Sequence, residues 1–213
     1  MTPKTFPWRL SALIGALAAS TALTACAPLL LGGAIVGSSM VVTDRRSSGA
    51  QVDDQAIELR ATKRINETIG DRGNVSTTSY NRIVLLTGAV TNEADKAAVE
   101  RVVSAIEGVR SVVNEVAIGP ASSFGNRSND TLLTSKVKAS MVDAKDVQAS
   151  AYKVVTERSV VYLMGRVTER EANRASDIAR GVSGVQKVVK VFEVVTEAEL
   201  NDLQPKTGAA PKT

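Results

Sequence analysis

A sequence block that occurs twice, 77 residues apart, is the feature that most constrains how this chain folds. The upstream copy begins Ile83-Val-Leu-Leu-Thr-Gly and the downstream copy begins Val160-Val-Tyr-Leu-Met-Gly, and each continues through a helical pattern to Gly-Val-x-x-Val-Val. Three pairs of equivalent residues mark the repeat: Gly88 with Gly165, Thr91 with Thr168, and Gly108 with Gly184. A repeat of this length exceeds a solenoid unit and fits a small duplicated domain. The chain is therefore predicted to contain two copies of one fold.

Each copy contains the patterns of two helices and three strands, in the order α-β-β-α-β, which predicts an α+β fold. Apolar residues spaced by four form a buried stripe on each first helix: Ile57, Ala61 and Ile65 in one copy, Leu133, Val137 and Met141 in the other. Asp53 or Asp54 is predicted to cap the first helix, because an aspartate can accept bonds from free helix amides. The domains are assigned to residues 53–118 and 129–195, with a linker at residues 119–128 that is rich in Gly, Pro and Ser.

The first 25 residues have the layout of an export signal. Lys4 and Arg9 precede an apolar run, and no acidic residue occurs before Asp44. The signal ends at Leu-Thr-Ala-Cys, which resembles a bacterial lipobox whose cysteine, Cys26, becomes the first residue of the mature protein. This resemblance implies a diacylglyceryl thioether and an N-acyl group such as palmitate on Cys26, which together anchor a protein stably. The alternative is an ordinary signal peptide with an incidental cysteine.

The residues after Cys26 bear on where the anchor lies. An aspartate at this position favours retention in the inner membrane, so Ala27 indicates the outer membrane, with the protein on its periplasmic face. Residues 26–52 are interpreted as the lipidated cysteine and a membrane-proximal tether. Their apolar part ends near Val42 and is shorter than the roughly 20 residues of a spanning helix, which favours a tether. A transmembrane anchor is the alternative. At the other end, residues 196–213 are predicted to be a disordered tail.

The composition argues against several classes of function. Removal of the signal takes away Lys4 and Arg9, so 24 of the 26 basic residues remain against 22 acidic ones. A nucleic-acid-binding protein normally has a stronger basic field or stacking aromatics. The chain has no histidine, and its one cysteine is assigned to the lipid anchor, so we predict no metal site and no cofactor. No motif arranges its Asp, Glu, Ser and Lys residues for catalysis, and an enzyme is not predicted.

The paired units Val-x-Leu-x-Gly-x-Val-Thr, helix, Gly-Val-x-x-Val-Val resemble the BON domain, a small α-β-β-α-β module of bacterial envelope proteins that is proposed to bind phospholipid. The resemblance covers residues 53–118 and 129–195. Together with the lipobox, it makes the chain similar to the dual-BON outer-membrane lipoproteins. It implies two tandem domains, each with helices packed on a small three-stranded mixed sheet. It also implies a structural role for the motif glycines Gly88, Gly108, Gly165 and Gly184.

The first helices of the two copies differ in charge. The stretch from residue 53 to residue 69 has four acidic and three basic residues, whereas residues 131–142 contain Lys136 and Lys138 and no acidic residue. Leu132 stands one position off the buried stripe and is expected to point outward. An exposed apolar residue beside lysines is what an interfacial membrane site needs. We therefore hypothesise that Leu132 inserts into an anionic phospholipid membrane while Lys136 and Lys138 meet its phosphate groups.

Two alternatives stay open at this point. Leu132 can instead pack on the other domain or on the linker, and the two lysines are then a solvated face. The chain can also be a protein-interaction module, which would use the groove between its domains or a sheet edge to hold an outer-membrane assembly factor or protease. The family resemblance favours phospholipid binding in support of outer-membrane integrity.

Overall fold

The computed structural model describes residues 44–203, in which the secondary structure of the two copies follows the predicted order. The first domain consists of α1 (Ser48–Ile69), β1 (Gly73–Tyr80), β2 (Ile83–Val90), α2 (Glu93–Ser104), β3 (Ser111–Asn114) and β4 (Ala117–Ile118). The second consists of α3 (Phe124–Asp143), β5 (Lys153–Glu157), β6 (Val160–Val167), α4 (Glu169–Gly181) and β7 (Lys187–Val194), and α5 (Glu197–Leu203) follows it. Short 3-10 turns lie at Gly70–Arg72 and Ala149–Ala151.

Each domain has one mixed sheet, and the strand of the repeated motif is at its centre. In the first domain β2 pairs antiparallel with β1 and parallel with β3 and β4. In the second domain β6 pairs antiparallel with β5 and parallel with β7. These orders leave β1 and β5 as edge strands. The predicted α+β fold, with helices on small mixed sheets, is confirmed. The second sheet has the predicted three strands, whereas the first has four, because its predicted third strand is divided into β3 and β4.

A buried aspartate in each first helix holds the hairpin turn of the same domain. The turn residues 81–82 and 158–159 all have φ between 48° and 67°, the geometry of a two-residue type I′ turn. Asp54 accepts bonds from both amides of the first turn, each at 2.8 Å. Asp130 does the same for the second turn, also at 2.8 Å. The prediction that Asp53 or Asp54 caps a helix is therefore wrong, because Asp54 lies inside α1 and serves the hairpin.

Both first helices begin earlier than predicted, and serine hydroxyls cap them. Helix α1 begins at Ser48, and Ser47 Oγ accepts a hydrogen bond from the Ala50 amide, in the first helical turn, at 3.1 Å. Helix α3 begins at Phe124, where Ser123 Oγ accepts from an amide at 3.2 Å. The last residues of the predicted tether and of the predicted linker are thus helical, since a serine followed by helix-compatible residues provides the cap that the aspartates do not.

The predicted disordered tail is helical in its first part. The Thr196 amide donates to the Glu199 carboxylate at 2.8 Å, and the Glu199 amide donates to the Thr196 hydroxyl at 3.2 Å. This reciprocal cap starts α5, and Leu200 is buried. The prediction of disorder is wrong for Glu197–Leu203, where the Thr-x-x-Glu pattern was the signal of a helix start. The rest of the predicted tail lies outside the described residues.

Three apolar clusters hold the described residues together. One lies between α1, α2 and the first sheet, and another between α3, α4 and the second sheet. The third joins the two sheets through the faces that point away from their helices. It contains Tyr80, Leu85, Tyr162, Met164 and Val191. The sheets therefore pack face to face, with the helices of each domain on the outside. Both domains belong to one compact unit.

Candidate functional site

Helix α3 carries all three residues of the predicted lipid site, and its inner face fixes its position. The buried stripe packs Leu133, Val137 and Met141 toward the second sheet. Thr134 Oγ1 bonds Thr156 Oγ1 of β5 at 2.7 Å, which joins the helix to the edge strand. The opposite face of α3 is left exposed.

Three large apolar side chains of α3 are exposed. Phe124 is 80% exposed, Leu132 is 59% exposed and Val142 is 71% exposed. Single exposed apolar residues are common on protein surfaces, but three on one helix form a pattern. Leu132 is largely exposed, as expected from its offset to the buried stripe. Phe124 was assigned to the linker, and Ser123, which caps α3, was the one signal of a helix start there.

The predicted residues occupy two sides of α3. Each helical residue adds about 100° of rotation, so Lys136 lies about 40° from Leu132 and Lys138 about 240° from it. Relative to the direction opposite the buried stripe, Leu132 and Lys136 lie on one flank, about 35° and 75° to one side. Phe124 and Val142 lie about 45° to the other side, and Lys138 lies about 85° to that same side. Lys136 and Lys138 are both exposed. The structure thus brings Leu132 and Lys136 together and gives Lys138 a different apolar neighbourhood.

The accessible charge of α3 is positive. Its cations Arg127, Lys136 and Lys138 are exposed, while Asp130 is buried at the hairpin turn and Asp143 ends the helix. Three cations less one accessible acid leave +2. The same count on α1, without the equivalent buried aspartate, gives three basic and three acidic residues and a charge of zero. The difference that the sequence suggested between the two helices is present on their accessible faces.

A groove of about 630 Å³ lies between α3 and α4 and borders this flank. The cations Lys136 and Arg174 line it together with Ile178. The acids Asp143 and Asp177 also line it, and Asp177 is paired with Arg180. Arg174 is paired with Asp146 at 2.7 Å, whereas Lys136 makes no ion pair within residues 44–203. Lys136 is therefore a cation of this groove that is available to an anionic group.

The motif glycines lie where a side chain would clash or where the backbone turns left-handed. Gly88 has φ of 111°, and a Cβ there would lie 2.1 Å from a carbonyl oxygen of β1. At Gly165 it would lie 2.5 Å from a carbonyl oxygen of the Ala149–Ala151 turn. Gly108 and Gly184 have φ of 89° and 100° in the turns after α2 and α4. Each of the four glycines shapes the backbone.

Polar side chains also tie the two domains together at the rim of their interface. Glu193 of β7 accepts bonds from Asn81 and, at 3.1 Å, from Arg110, both of which belong to the first domain. Lys153 of β5 pairs with Glu58 of α1 at 2.9 Å. The interface is therefore apolar at its centre and charged at its rim, like other stable interfaces.

Residues 44–46, which we term the strap, precede α1 and contact both domains. The Arg45 guanidinium donates to both carboxylate oxygens of Glu171 in α4, each at 2.8 Å. Arg46 pairs with Asp54 at 2.8 Å, and its guanidinium carbon lies 4.3 Å from the centre of the Tyr80 ring. The strap therefore connects the first helix of one domain to the second helix of the other.

The carboxylates that hold the strap have lowered pKa values. Burial raises the pKa of Glu171, but bonds from the Arg45 guanidinium and the Thr168 amide outweigh it, and the net pKa is below the ordinary value. Burial likewise raises the pKa of Asp54, and bonds from the Ser79 hydroxyl, the turn amides and the strap lower it further than burial raises it. Both groups are charged at neutral pH and accept charge-assisted bonds.

Cys26, the predicted lipidation site, lies outside the described residues. Within residues 44–203 no helix combines the length and the apolar character that a membrane span requires. The same part of the chain contains no group of His, Cys, Asp and Glu side chains arranged to hold a metal ion.

The BON domain family matches the chain at residues 53–120 and again at residues 129–196. These two matches coincide with the two sheets and their helices. This chain belongs to the BON-domain family. The resemblance drawn from the glycine and valine motifs is confirmed, and the protein has two BON domains in tandem.

Three relatives of this BON protein span most of its length. Outer membrane lipoprotein DolP of Haemophilus influenzae is 38% identical over 179 residues, which are 83% of this chain and 92% of the relative. The 21 kDa hemolysin of Actinobacillus pleuropneumoniae is 31% identical over 154 residues, 71% of this chain and 79% of the relative. Osmotically-inducible protein Y of Escherichia coli is 30% identical over 148 residues, 66% of this chain and 72% of the relative.

Proposed function

We propose that this BON protein is a non-enzymatic, lipid-anchored protein of the outer membrane, on its periplasmic face, which binds anionic phospholipid through α3 and supports membrane integrity. The observation that carries the proposal is the surface pattern of α3. Three exposed large apolar side chains and three exposed cations occur on this helix, and Asp143 is its only accessible acid. That combination is typical of a helix that lies in a membrane interface.

The spacing of the apolar residues indicates how α3 meets the membrane. Phe124 and Val142 are 18 residues apart, a distance of about 27 Å along the helix axis. Both lie about 45° from the outermost direction of the helix, and Leu132 lies about 35° from it on the other side. A helix parallel to the membrane plane can therefore insert all three apolar side chains at once. Leu132 and Lys136 then lie at one flank, where Lys136 reaches headgroups that enter the groove beside α4.

The free energies favour weak and reversible binding by α3 itself. Full burial of a large apolar side chain contributes about 1.5–3 kcal/mol, and each cation near an anionic surface contributes about 1 kcal/mol. The lost freedom of the bound protein opposes these terms. Stable attachment is therefore assigned to the proposed lipid groups on Cys26, and α3 adds selectivity for anionic lipid.

The proposed anchor is compatible with α3 contacting the same membrane. Asp44 lies 18 positions after Cys26, and an extended chain of that length spans at most about 65 Å. The relative in Haemophilus influenzae is named an outer membrane lipoprotein, which supports the same location for this chain.

The test uses a protein of residues 41–213 and measures how much of it co-sediments with lipid vesicles. Because this protein lacks Cys26, its binding does not depend on the lipid anchor. We expect binding to vesicles that contain phosphatidylglycerol and little binding to phosphatidylcholine vesicles, with a decrease at high salt because salt screens exposed charges. Leu132→Glu removes an apolar contact and places a negative charge beside the phosphates. We expect it to weaken binding about tenfold or more.

Val52→Glu is the matched control, because Val52 is an exposed apolar residue of α1, in the other domain. It adds the same charge to the same protein and is expected to bind like wild type. Wild-type affinity in Leu132→Glu would refute the proposed site. An equal loss in both variants would mean that net charge alone governs binding.

A further inference from the structure

A second groove, of about 870 Å³, lies in the first domain between α1 and the edge strand β1. Leu59 and Thr62 of α1 line one side of this groove, and Thr77 of β1 lines the other. Leu59 is 74% exposed. The Thr77 hydroxyl is buried and has no hydrogen-bond partner within residues 44–203. The groove thus combines an exposed apolar wall with an unsatisfied polar group.

Strand β1 presents main-chain groups along this groove. In an antiparallel hairpin, alternate residues of an edge strand direct their amide and carbonyl groups away from the partner strand. The register places Ser79, Thr77 and Val75 in this outward set. Ser79 demonstrates the direction, because its amide donates to Glu58 at 2.7 Å and its carbonyl accepts from Lys153 at 3.1 Å. In the described part of the chain, nothing bonds the outward groups of Thr77 and Val75.

The second domain does not repeat this edge. Its edge strand β5 has five residues, whereas β1 has eight. The Ala149–Ala151 turn stands where the first domain has the beginning of its strand. The longer open edge is therefore a property of one copy and is not required by the fold.

We propose that the α1–β1 groove binds an extended peptide segment of another protein, which adds to β1 as a further strand. An extended main chain supplies amides and carbonyls at the two-residue spacing that Thr77 and Val75 require. Alternate side chains of such a strand face α1, where Leu59 offers apolar contact.

The charges of the groove select an uncharged segment. Glu58 is paired with Lys153, and Lys63 lies 3.9 Å from Glu67, so the charged residues around the groove balance one another. The occupant that fits is therefore an extended segment whose alternate residues are apolar and whose other residues are polar and uncharged. An acyl chain would leave the outward amides and carbonyls of β1 without partners.

The experiment measures binding of a synthetic peptide to the full-length protein in detergent by fluorescence anisotropy. The probe is a labelled octapeptide of alternating valine and threonine, with a lysine at each end for solubility. Two N-methylated versions complete the set. The first version is methylated on the amides that face β1 when the valine side chains face α1. The second version is methylated on the remaining amides. We expect saturable binding of the probe and of the second version only, because methylation removes the donors that a strand pairing needs. Equal binding of both methylated versions, or no saturable binding of the probe, would overturn the proposal.

Variants give an independent readout. Leu59→Glu is expected to raise the Kd of the probe about tenfold, whereas Val52→Glu on the same helix leaves it unchanged. Thr77→Pro removes an outward amide without removing a ladder bond and is expected to abolish binding while the circular dichroism spectrum is retained. Wild-type affinity in Leu59→Glu would overturn the proposal. A concentration-dependent dimer that excludes the probe would assign the groove to a second copy and would overturn it equally. The assay contains no vesicles, so its outcome is separate from that of the lipid proposal.

Discussion

The strap contacts the second domain through Arg45, and removal of this guanidinium tests how firmly the strap is held. Arg45→Met keeps most of the aliphatic stem. It removes two bonds to Glu171 at 2.8 Å each, one to the Arg166 carbonyl at 2.9 Å and one to the Gln148 side chain at 3.1 Å. The side chains of Arg45 and Glu171 are 5% and 10% exposed. The variant therefore leaves a buried carboxylate without its counter-charge.

The loss of unfolding free energy in Arg45→Met depends on the hydrogen bonds that Glu171 retains. Removal of one partner from a fully buried ion pair costs about 3–5 kcal/mol. The cost here is lower, because Glu171 still accepts the Thr168 amide at 3.0 Å and its oxygens can be hydrated once the guanidinium is gone. We expect Arg45→Met to lower the free energy of unfolding by about 2–3 kcal/mol. For a unit of this size that is a fall in Tm of about 4–12 °C.

The assay is guanidinium chloride unfolding of residues 41–213 at neutral pH, followed by circular dichroism. Glu171→Gln and the double variant complete a cycle, in which the double variant should lose less than the sum of the single losses. Arg180→Met is the matched control, because Arg180 pairs with Asp177 at 2.8 Å and both side chains are exposed. It should change stability by less than about 0.5 kcal/mol. Arg45→Met with the stability of Arg180→Met would refute the reasoning.

The pH dependence of this effect has a definite sign. The pKa of Glu171 is lowered in the folded protein, so the folded state binds fewer protons than the unfolded state in acid. The stabilisation is complete above the ordinary carboxyl pKa of about 4.3 and is lost as the pH falls through the folded pKa. The difference between wild type and Arg45→Met should therefore narrow below about pH 4. A gap that widens in acid would contradict the assigned ion pair.

Two further predictions concern the repeated motif. Gly88→Ala should lower the free energy of unfolding by about 3 kcal/mol or more, because the new Cβ meets a carbonyl oxygen at 2.1 Å and φ is 111°. Gly181→Ala is the control, since its Cβ has no neighbour within 4 Å, and it should change the free energy by less than about 1 kcal/mol in the same guanidinium chloride unfolding. Asp130→Ala removes two bonds to the amides of turn 158–159 and should cost about 2–3 kcal/mol, whereas a loss below about 0.5 kcal/mol would show that the turn holds itself.

The parts of the fold that the sequence predicted depend on local periodicity. The stripes beginning at Ile57 and Leu133, the glycines and the strand order all follow from residues close together in the chain. The position of Asp54 inside a helix could not be predicted in this way, because its partners lie about 25 residues further on. The strap was also missed, since Arg45 and Glu171 are 126 residues apart and no local motif joins them.

The face-to-face packing of the sheets had a signal that the sequence analysis did not use. The central strands β2 and β6 are apolar on both faces, and continuous apolar strands are typical of sheets that are covered on both sides. Leu85 and Tyr162 are accordingly buried in the third cluster, on the side away from the helices. For the candidate site, the sequence predicted the exposure of Leu132 from its offset to the stripe. It did not predict Phe124, because the start of α3 depends on a serine cap within a segment that reads as linker.

This packing restricts where each domain can bind a ligand. In the third cluster, each sheet covers the face of the other sheet that points away from its helices. The accessible surfaces are therefore the helices and the strand edges. The layer order puts α1 and α3 on opposite outer sides of the unit. With α3 on a membrane, α1 is on the side of the unit away from that membrane, so its exposed Leu59 stays open to a partner. Lipid binding by one copy and peptide binding by the other are therefore compatible, and anionic vesicles should leave the affinity for the peptide unchanged.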